Sequence, residues 1–247
     1  MEGAAAIERA LDLWTLIVRS QGQTPLSVLA AELSLPISTA HRIVMAFRRR
    51  GLITPASRGH YVGGLQLAAL GALADPRATL IEAARPLLRR LARTMRTTVH
   101  MGMLEGDMVT YLVKEQGGGM RLFTQESMQL EAYCSAIGKV LLANAGGIDR
   151  EAYLANGPFI ALTEHTVTEP AALRDMLTEV RANDFAIDDR EVVEDLHCIA
   201  VPMRDPTGEV IAAVSISEKY SATGEAAFAN RLKALRDCSA AITGRLG

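Results

Sequence analysis

The feature that most constrains this chain is the stretch from Leu26 to Gly51. Leu26, Leu29, Ala30 and Leu33 recur at helical spacing, Ser34-Leu35-Pro36 breaks the run, and Ala40, Ile43, Val44 and Phe47 resume the period before Gly51 ends it. Two short helices with a turn between them follow, which is a helix-turn-helix. Ser38 or the residue before it is placed to cap the second helix. The outer face of that helix carries Ser38, Thr39, His41, Arg42, Met45, Arg48, Arg49 and Arg50. Short hydroxyl side chains at its start suit base edges in a major groove, while arginines farther along reach phosphates and hold the register. The competing reading is an ordinary amphipathic helix with a solvated basic face.

What comes next favours nucleic acid. Leu52-Ile53-Thr54 and His60-Tyr61-Val62 are β-prone runs separated by Pro55-Ala56-Ser57-Arg58-Gly59, a hairpin with a turn at its tip. A hairpin directly after a recognition helix is a wing, and Arg58 at its tip is placed to contact phosphate or enter a minor groove. The order helix, helix-turn-helix, wing predicts double-stranded DNA as a partner, with Ser38, Thr39, His41 and Arg42 near the bases, Arg49 on the backbone and Arg58 reaching from the wing.

Charge bears on this only when split. The 247 residues carry a net charge of −2. Residues 1–75 hold seven arginines against five acids, a balance of +2 that leaves −4 for the remainder, and five of those arginines fall between Arg42 and Arg58. A local basic patch on a nearly neutral chain fits a dimer reading a palindromic sequence better than a non-specific nucleic-acid coat. With 49% hydrophobic and 22% charged residues the composition is that of a globular protein. Neither a secretory leader nor an apolar run of the ~18 to 20 residues needed for a membrane span is seen, so a cytoplasmic location is expected. Cys134, Cys198 and Cys238 are odd in number and lack CxxC spacing, which argues against disulfides and against zinc.

Taken in order, Ile7, Ala10, Leu11, Trp14, Ile17 and Val18 form one apolar stripe on a helix over 4–19, with Leu13 and Leu16 off it. The surplus of apolar surface makes this helix a dimer contact or buries it more deeply in its own chain. Leu65 to Ala74 is apolar almost all round and has to be covered by protein, and Asp75-Pro76 interrupts it, so a linking helix is expected at 65–76 between domains at 1–64 and 77–247. Beyond it a helix marked by Ile81, Ala84, Leu88, Leu91 and Met95 has a basic outer face, with Pro86 bending or restarting it. Val99–Leu104 and Met108–Val113 form a hairpin, Met120–Thr124 is placed as a third strand, and helices follow at Ala136–Ala143 and Ala171–Asn183. Strands at Phe185–Asp188, Cys198–Met203 and Glu209–Ser217, the last two joined through Asp205-Pro206-Thr207-Gly208, and a final helix carrying Phe228, Leu232, Leu235, Ser239, Ile242 and Leu246 complete an α+β domain with a mainly antiparallel sheet. On the last strand Ser215 and Ser217 share a face, opposite Ala212, Val214 and Ile216; they are exposed at the strand end or line a polar pocket. Cys198, Ala200 and Pro202 likewise share a face, and Asp188 ends the strand before.

Five motifs in this order resemble the IclR family of bacterial transcriptional regulators over nearly the whole chain. They are Leu35-Pro36-Ile37-Ser38-Thr39-Ala40-His41-Arg42, the wing end Tyr61-Val62-Gly63, Glu82-Ala83-Ala84-Arg85-Pro86, Ala136-Ile137-Gly138-Lys139-Val140-Leu141-Leu142-Ala143 and Cys198-Ile199-Ala200-Val201-Pro202. The resemblance implies an N-terminal winged helix-turn-helix dimer, a linking helix and a GAF-like effector-binding domain, often assembled further into a tetramer. It also implies that a small organic acid is held by Asp188, Cys198, Ser215 and Ser217, with backbone amides near Ser135 and Ala136 completing the site. The family usually shows a basic residue, then Pro and His, before Ala136; here Leu130-Glu131-Ala132-Tyr133 stands there, so that wall of the pocket departs from the pattern. Met101, Met103 and Leu112 are expected to set the size of the site.

Catalysis and metal sensing are the rival classes, and neither is favoured. His197 and Cys198 are strand neighbours pointing to opposite faces, so they are poorly placed as base and nucleophile. Cys134, His165, His197 and Cys198 are too scattered for a metal, and no cofactor is expected.

Overall fold

Leu13 and Ile17, both fully buried, are where the N-terminal unit closes on itself. They belong to α1 (Glu2–Ser20) and meet Leu26, Leu29 and Ala30 of α2 (Leu26–Glu32), Ala40 and Val44 of α3 (Ile37–Arg49), and Ile53. The computed structural model describes residues 2–73, 75–118, 121–205, 207–220 and 225–246. Its residues form two compact units, Met1–Asp75 and Pro76–Gly247.

The face of α1 differs from the expected stripe. Leu13, placed off the stripe, is 0% exposed, whereas Ile7 and Leu11 on it are 63% and 47% exposed. A helix turns about its axis to serve its neighbours, and those neighbours gather around Leu13, Trp14, Leu16 and Ile17. Ser34, at φ 54, makes the turn between α2 and α3. The N-cap of α3 is Pro36, which makes no side-chain cap bond, so the expected capping role of Ser38 does not hold: Ser38 lies inside the first turn with an exposed side chain. β1 (Ile53–Ser57) pairs antiparallel with β2 (His60–Gly63), and the two-residue tip Arg58-Gly59 is shorter than the five-residue turn expected. Strand β1 continues through Pro55 because that proline sits on a two-stranded edge that tolerates a missing amide donor. The last element, α4 (Leu65–Leu73), has no buried residue, and Leu65 and Leu73 are 88% and 83% exposed. Ala74, the expected end of this helix, lies outside the described residues.

The C-terminal unit is one six-stranded antiparallel sheet with helices on both faces. In chain order it contains α5 (Pro76–Met95), β3 (Thr98–Glu105), β4 (Met108–Gln116), β5 (Gln129–Glu131), α6 (Ala136–Asn144), α7 (Gly147–Leu154), α8 (Pro170–Asn183), β6 (Ala186–Asp189), β7 (Leu196–Arg204), β8 (Val210–Lys219) and α9 (Glu225–Thr243). The strands run in the order β5-β4-β3-β8-β7-β6. Helices α5 and α9 cover one face with Leu88, Leu91, Leu235 and Ile242; α6 and α8 cover the other with Ile137, Val140, Leu173 and Leu177. Pro86 lies within α5 without ending it.

Two strand expectations are corrected. Leu122–Thr124 is irregular rather than a strand, the pairing edge is taken by Gln129–Glu131 instead, and Met120 lies outside the described residues, as do Gly119 and Pro206. Met101 and Leu112 pack on the α5–α9 face, with Met103 against the same cluster. They therefore do not wall the pocket described below. His100 pairs with Ser215 and faces the pocket, so its strand neighbour Met101, and Met103 two residues on, face α5 and α9, while the register shift at Met101/Gly102 leaves Leu112 of β4 as the extra residue. Among the described residues no helix is long and apolar enough to cross a membrane.

Candidate nucleic-acid interface and polar pocket

The core face of α3 is fixed by Ala40 and Val44, both 0% exposed, which turns the opposite face outward. Ser38, His41, Arg42 and Arg49 are exposed there, and Thr39 is half-buried. No acid interrupts the helix, so its outer face carries donors at both ends, with the exposed Met45 between Arg42 and the closing pair Arg48 and Arg49. Arg58 stands exposed at the hairpin tip.

The second site is a narrow pocket in which polar groups converge among apolar ones. The N-terminus of α6 forms one wall: Ser135 is its N-cap, its Oγ accepting the Gly138 N–H at 3.1 Å, with Ala136 and Ile137 beside it. Gly138 is required there, since a Cβ would run into the backbone of Ala132. The strands supply Asp188 from β6, Cys198 from β7 and Ser215 and Ser217 from β8. Register links them, with Asp188 opposite Cys198 and Cys198 opposite Ser217. All six side chains or amide positions expected to hold an acid thus surround one cavity of about 20 Å³. That is room for roughly one water.

Apolar side chains including Leu122, Val192 and Leu196 also line it, and so do polar residues to which sequence patterns assign no role there. His100 of β3 and Tyr111 of β4 have ring centroids 4.8 Å apart, and Thr124 closes the cavity from loop 121–128. The Thr124 Oγ1 lies 2.9 Å from His100 Nε2, and Ser217 Oγ lies 3.4 Å from His100 Nδ1. The Cys198 thiol donates to Ser217 Oγ at 3.2 Å. Period-two alternation along β3 separates His100 from Met101 and Met103, and its pairing with Ser215 turns it to the pocket. Thr124 carries no comparable signal. In the wall that departs from the family pattern, Leu130 lines the cavity, while Tyr133 donates its hydroxyl to the Ile160 carbonyl at 2.6 Å and stacks on Phe159.

Burial sets the protonation states. Asp188 is 1% exposed, and loss of water pushes its carboxyl up to about 7, against the opposing pull of Lys139 and of the Glu191 and Val192 amides that donate to Oδ1 at 2.8 and 3.4 Å. Desolvation holds the His100 ring down at about 3, with the Lys114 charge adding to it, so the ring is neutral. The Cys198 thiol is raised by burial, as is the Tyr111 phenol. Beneath the pocket Lys139 pairs with Glu191 and donates to the Ile187 carbonyl at 2.9 Å, a buried clamp between α6 and the end of β6. Sequence motifs marked Lys139 only as part of a helix. Among the described residues no group of three His, Cys, Asp or Glu side chains is arranged to hold a metal ion.

A winged helix-turn-helix with an outward basic helix, in one chain with an antiparallel α+β domain, defines a DNA-binding transcription regulator. The IclR helix-turn-helix domain matches residues 6–56, and the bacterial transcriptional regulator IclR C-terminal domain matches residues 74–244. The chain belongs to the IclR family. It is similar to the HTH-type transcriptional regulator BhcR of Paracoccus denitrificans, 36% identical over 218 residues that span 87% of this chain and 77% of that one. Among solved structures, an IclR transcriptional regulator from Silicibacter superposes with a TM-score of 0.76 at 26% identity, covering 98% of this chain and 96% of that one. An IclR homolog from Microbacterium hydrocarbonoxydans, complexed with 4-hydroxybenzoate, superposes with a TM-score of 0.64 at 25% identity, covering 98% of each.

Proposed function

We propose that this regulator binds a small organic acid in the polar pocket and that binding changes its affinity for a palindromic operator. In this reading residues 1–64 hold DNA, 65–76 link, and 77–247 sense the acid in a cytoplasmic homodimer that can assemble into a tetramer. The observation that carries the reading is the convergence of the α6 amide end, Ser215, Ser217 and the Cys198 thiol on one narrow cavity. Buried donors of this kind suit a carboxylate, whose charge-assisted hydrogen bonds are about twice as strong as neutral ones. Asp188 calls for a second polar group on the same ligand, a hydroxyl, hydrate or amine that donates to it. The relative bound to 4-hydroxybenzoate supports an acid with a hydroxyl as the ligand class. The exposed Ile7, Leu11, Leu65 and Leu73 supply apolar surface for the second copy. Turnover is not part of the proposal, because a buried thiol held in its protonated form is a poor nucleophile.

The cavity of about 20 Å³ is smaller than any such acid, so binding requires the pocket wall to shift. That shift is what makes differential affinity for two states available, and a coupling of ~1 to 3 kcal/mol would change operator affinity ~5- to 150-fold. Calorimetry on the full chain with a panel of hydroxy- and keto-acids tests the reading. An acid that binds should lose roughly 10- to 100-fold in affinity on replacing Ser215→Ala together with Ser217→Ala. Equal binding by wild type and the double variant would place the site elsewhere.

A further inference from the structure

Loop 121–128, one wall of the pocket, is fastened at both edges. On the inner edge the buried Thr124 meets His100 Nε2 at 2.9 Å. On the outer edge Glu126 receives Arg85 of α5 through both carboxylate oxygens, at 2.7 and 3.1 Å. Lys114 makes the two edges one piece: its ammonium donates to the Leu122 carbonyl at 2.9 Å and to that of Thr124, and its amide donates to Glu126 Oε1 at 3.1 Å. Arg85 also reaches Glu115 at 3.5 Å, and Arg89, one turn on, grips Glu115 twice at 3.0 and 3.1 Å. Helix α5 begins at Pro76, the residue that follows the DNA-binding unit in the chain.

We propose that the Arg85–Glu126 pair is the joint through which occupancy of the pocket is passed to α5, with Thr124 as the contact that senses it. The proposal rests on the effector reading above. An acid that outgrows the cavity on its loop side pushes Leu122-Phe123-Thr124 outward or takes over the bond between Thr124 and His100. Either event moves a segment that Lys114 has tied to Glu126, and Glu126 is bonded to α5. The pair is part-exposed, with side-chain exposures of 31% and 41%. Such pairs add little to fold stability, so its worth here is geometric. Arg85 and Glu126 are positioning residues and touch no ligand.

Hydrogen exchange on the full chain tests the joint without any ligand. Four proteins are compared: wild type, Thr124→Val, which keeps the shape but removes the hydroxyl facing His100, Arg85→Gln, and the double variant. Thr124→Val should speed exchange of α5 amides within residues 80–92 by about 3- to 10-fold, and by less than about 2-fold more once Arg85→Gln is present, since coupled sites are non-additive. Glu126→Gln in place of Arg85→Gln should reproduce this. A Thr124→Val protein with unchanged α5 exchange, or with the same increase in both backgrounds, would overturn the proposal. Because no acid is added, failure of every acid to bind would refute the effector reading while this comparison still decides the joint.

Discussion

Asp188 on β6 and Cys198 on β7 are register partners, and both side chains turn toward the amide end of α6. A carboxyl and a thiol thus sit side by side in a cavity that excludes all but about one water. The carboxyl, lifted by burial to about 7, changes charge within the range in which bacteria live.

The first prediction follows from that value. An ionised Asp188 repels a bound carboxylate, and a hydroxyl on the ligand that donates to Asp188 offsets part of that repulsion, so acid affinity should weaken as pH rises through 7, by at most ~10-fold per unit. Stability runs the same way. The folded-state value lies above the unfolded one, so the folded chain binds more protons between about 4 and about 7, and stability falls as pH rises across that window. The loss is on the order of 4 kcal/mol. Asp188→Asn should flatten both curves, in calorimetry and in urea unfolding at pH 5 and 8. Undiminished slopes in that variant would assign the proton elsewhere.

The second prediction concerns the clamp under the pocket. Lys139 is 1% exposed and Glu191 5%, so removing one partner leaves a buried charge without its counterpart. Lys139→Met should cost roughly 3 to 5 kcal/mol, whereas Lys139→Met with Glu191→Leu should recover much of it. Urea midpoints for the single and double variants give the comparison. A single variant as stable as wild type would show that the pair contributes nothing net.

The third prediction separates reading from anchoring on α3. Arg42→Ala should relax sequence preference by ~1 to 3 kcal/mol, while Arg49→Ala should weaken all DNA about equally and lower the salt slope by about 1. Mobility shifts on operator and scrambled duplexes at several salt concentrations distinguish these outcomes. Intact preference in the Arg42 variant would reassign the base contacts.

The helix-turn-helix, the wing and the alternation of Ser215 and Ser217 were readable because each rests on local spacing that tertiary contacts merely select. Burial of Ser215 and Ser217, at 3% and 5% exposure, resolved the choice between a strand end and a pocket. Errors arose where a neighbour decides. Leu13 and Ile7 both lie on apolar parts of α1, and only the position of α2 and α3 tells which one turns inward. The pairing that sets His100 of β3 opposite Ser215 of β8 turns Met101 and Met103 away from the pocket. Thr124 and Glu126 sit in an irregular loop with no period to read, and the partner of Lys139 lies far along the chain. Long-range pairing of this kind leaves no mark on local sequence.

Four titratable side chains line the cavity: His100, Tyr111, Asp188 and Cys198. Burial drives the ring down and the phenol and thiol up, away from neutrality, and brings the carboxyl toward it. Of these four, Asp188 is the one whose charge changes near neutrality, and the buried Lys139–Glu191 pair beside it sets how far. Under the proposed function an acid and a proton would then be linked signals, and a cell that acidifies while it accumulates its own carboxylates would drive such a sensor from both sides at once.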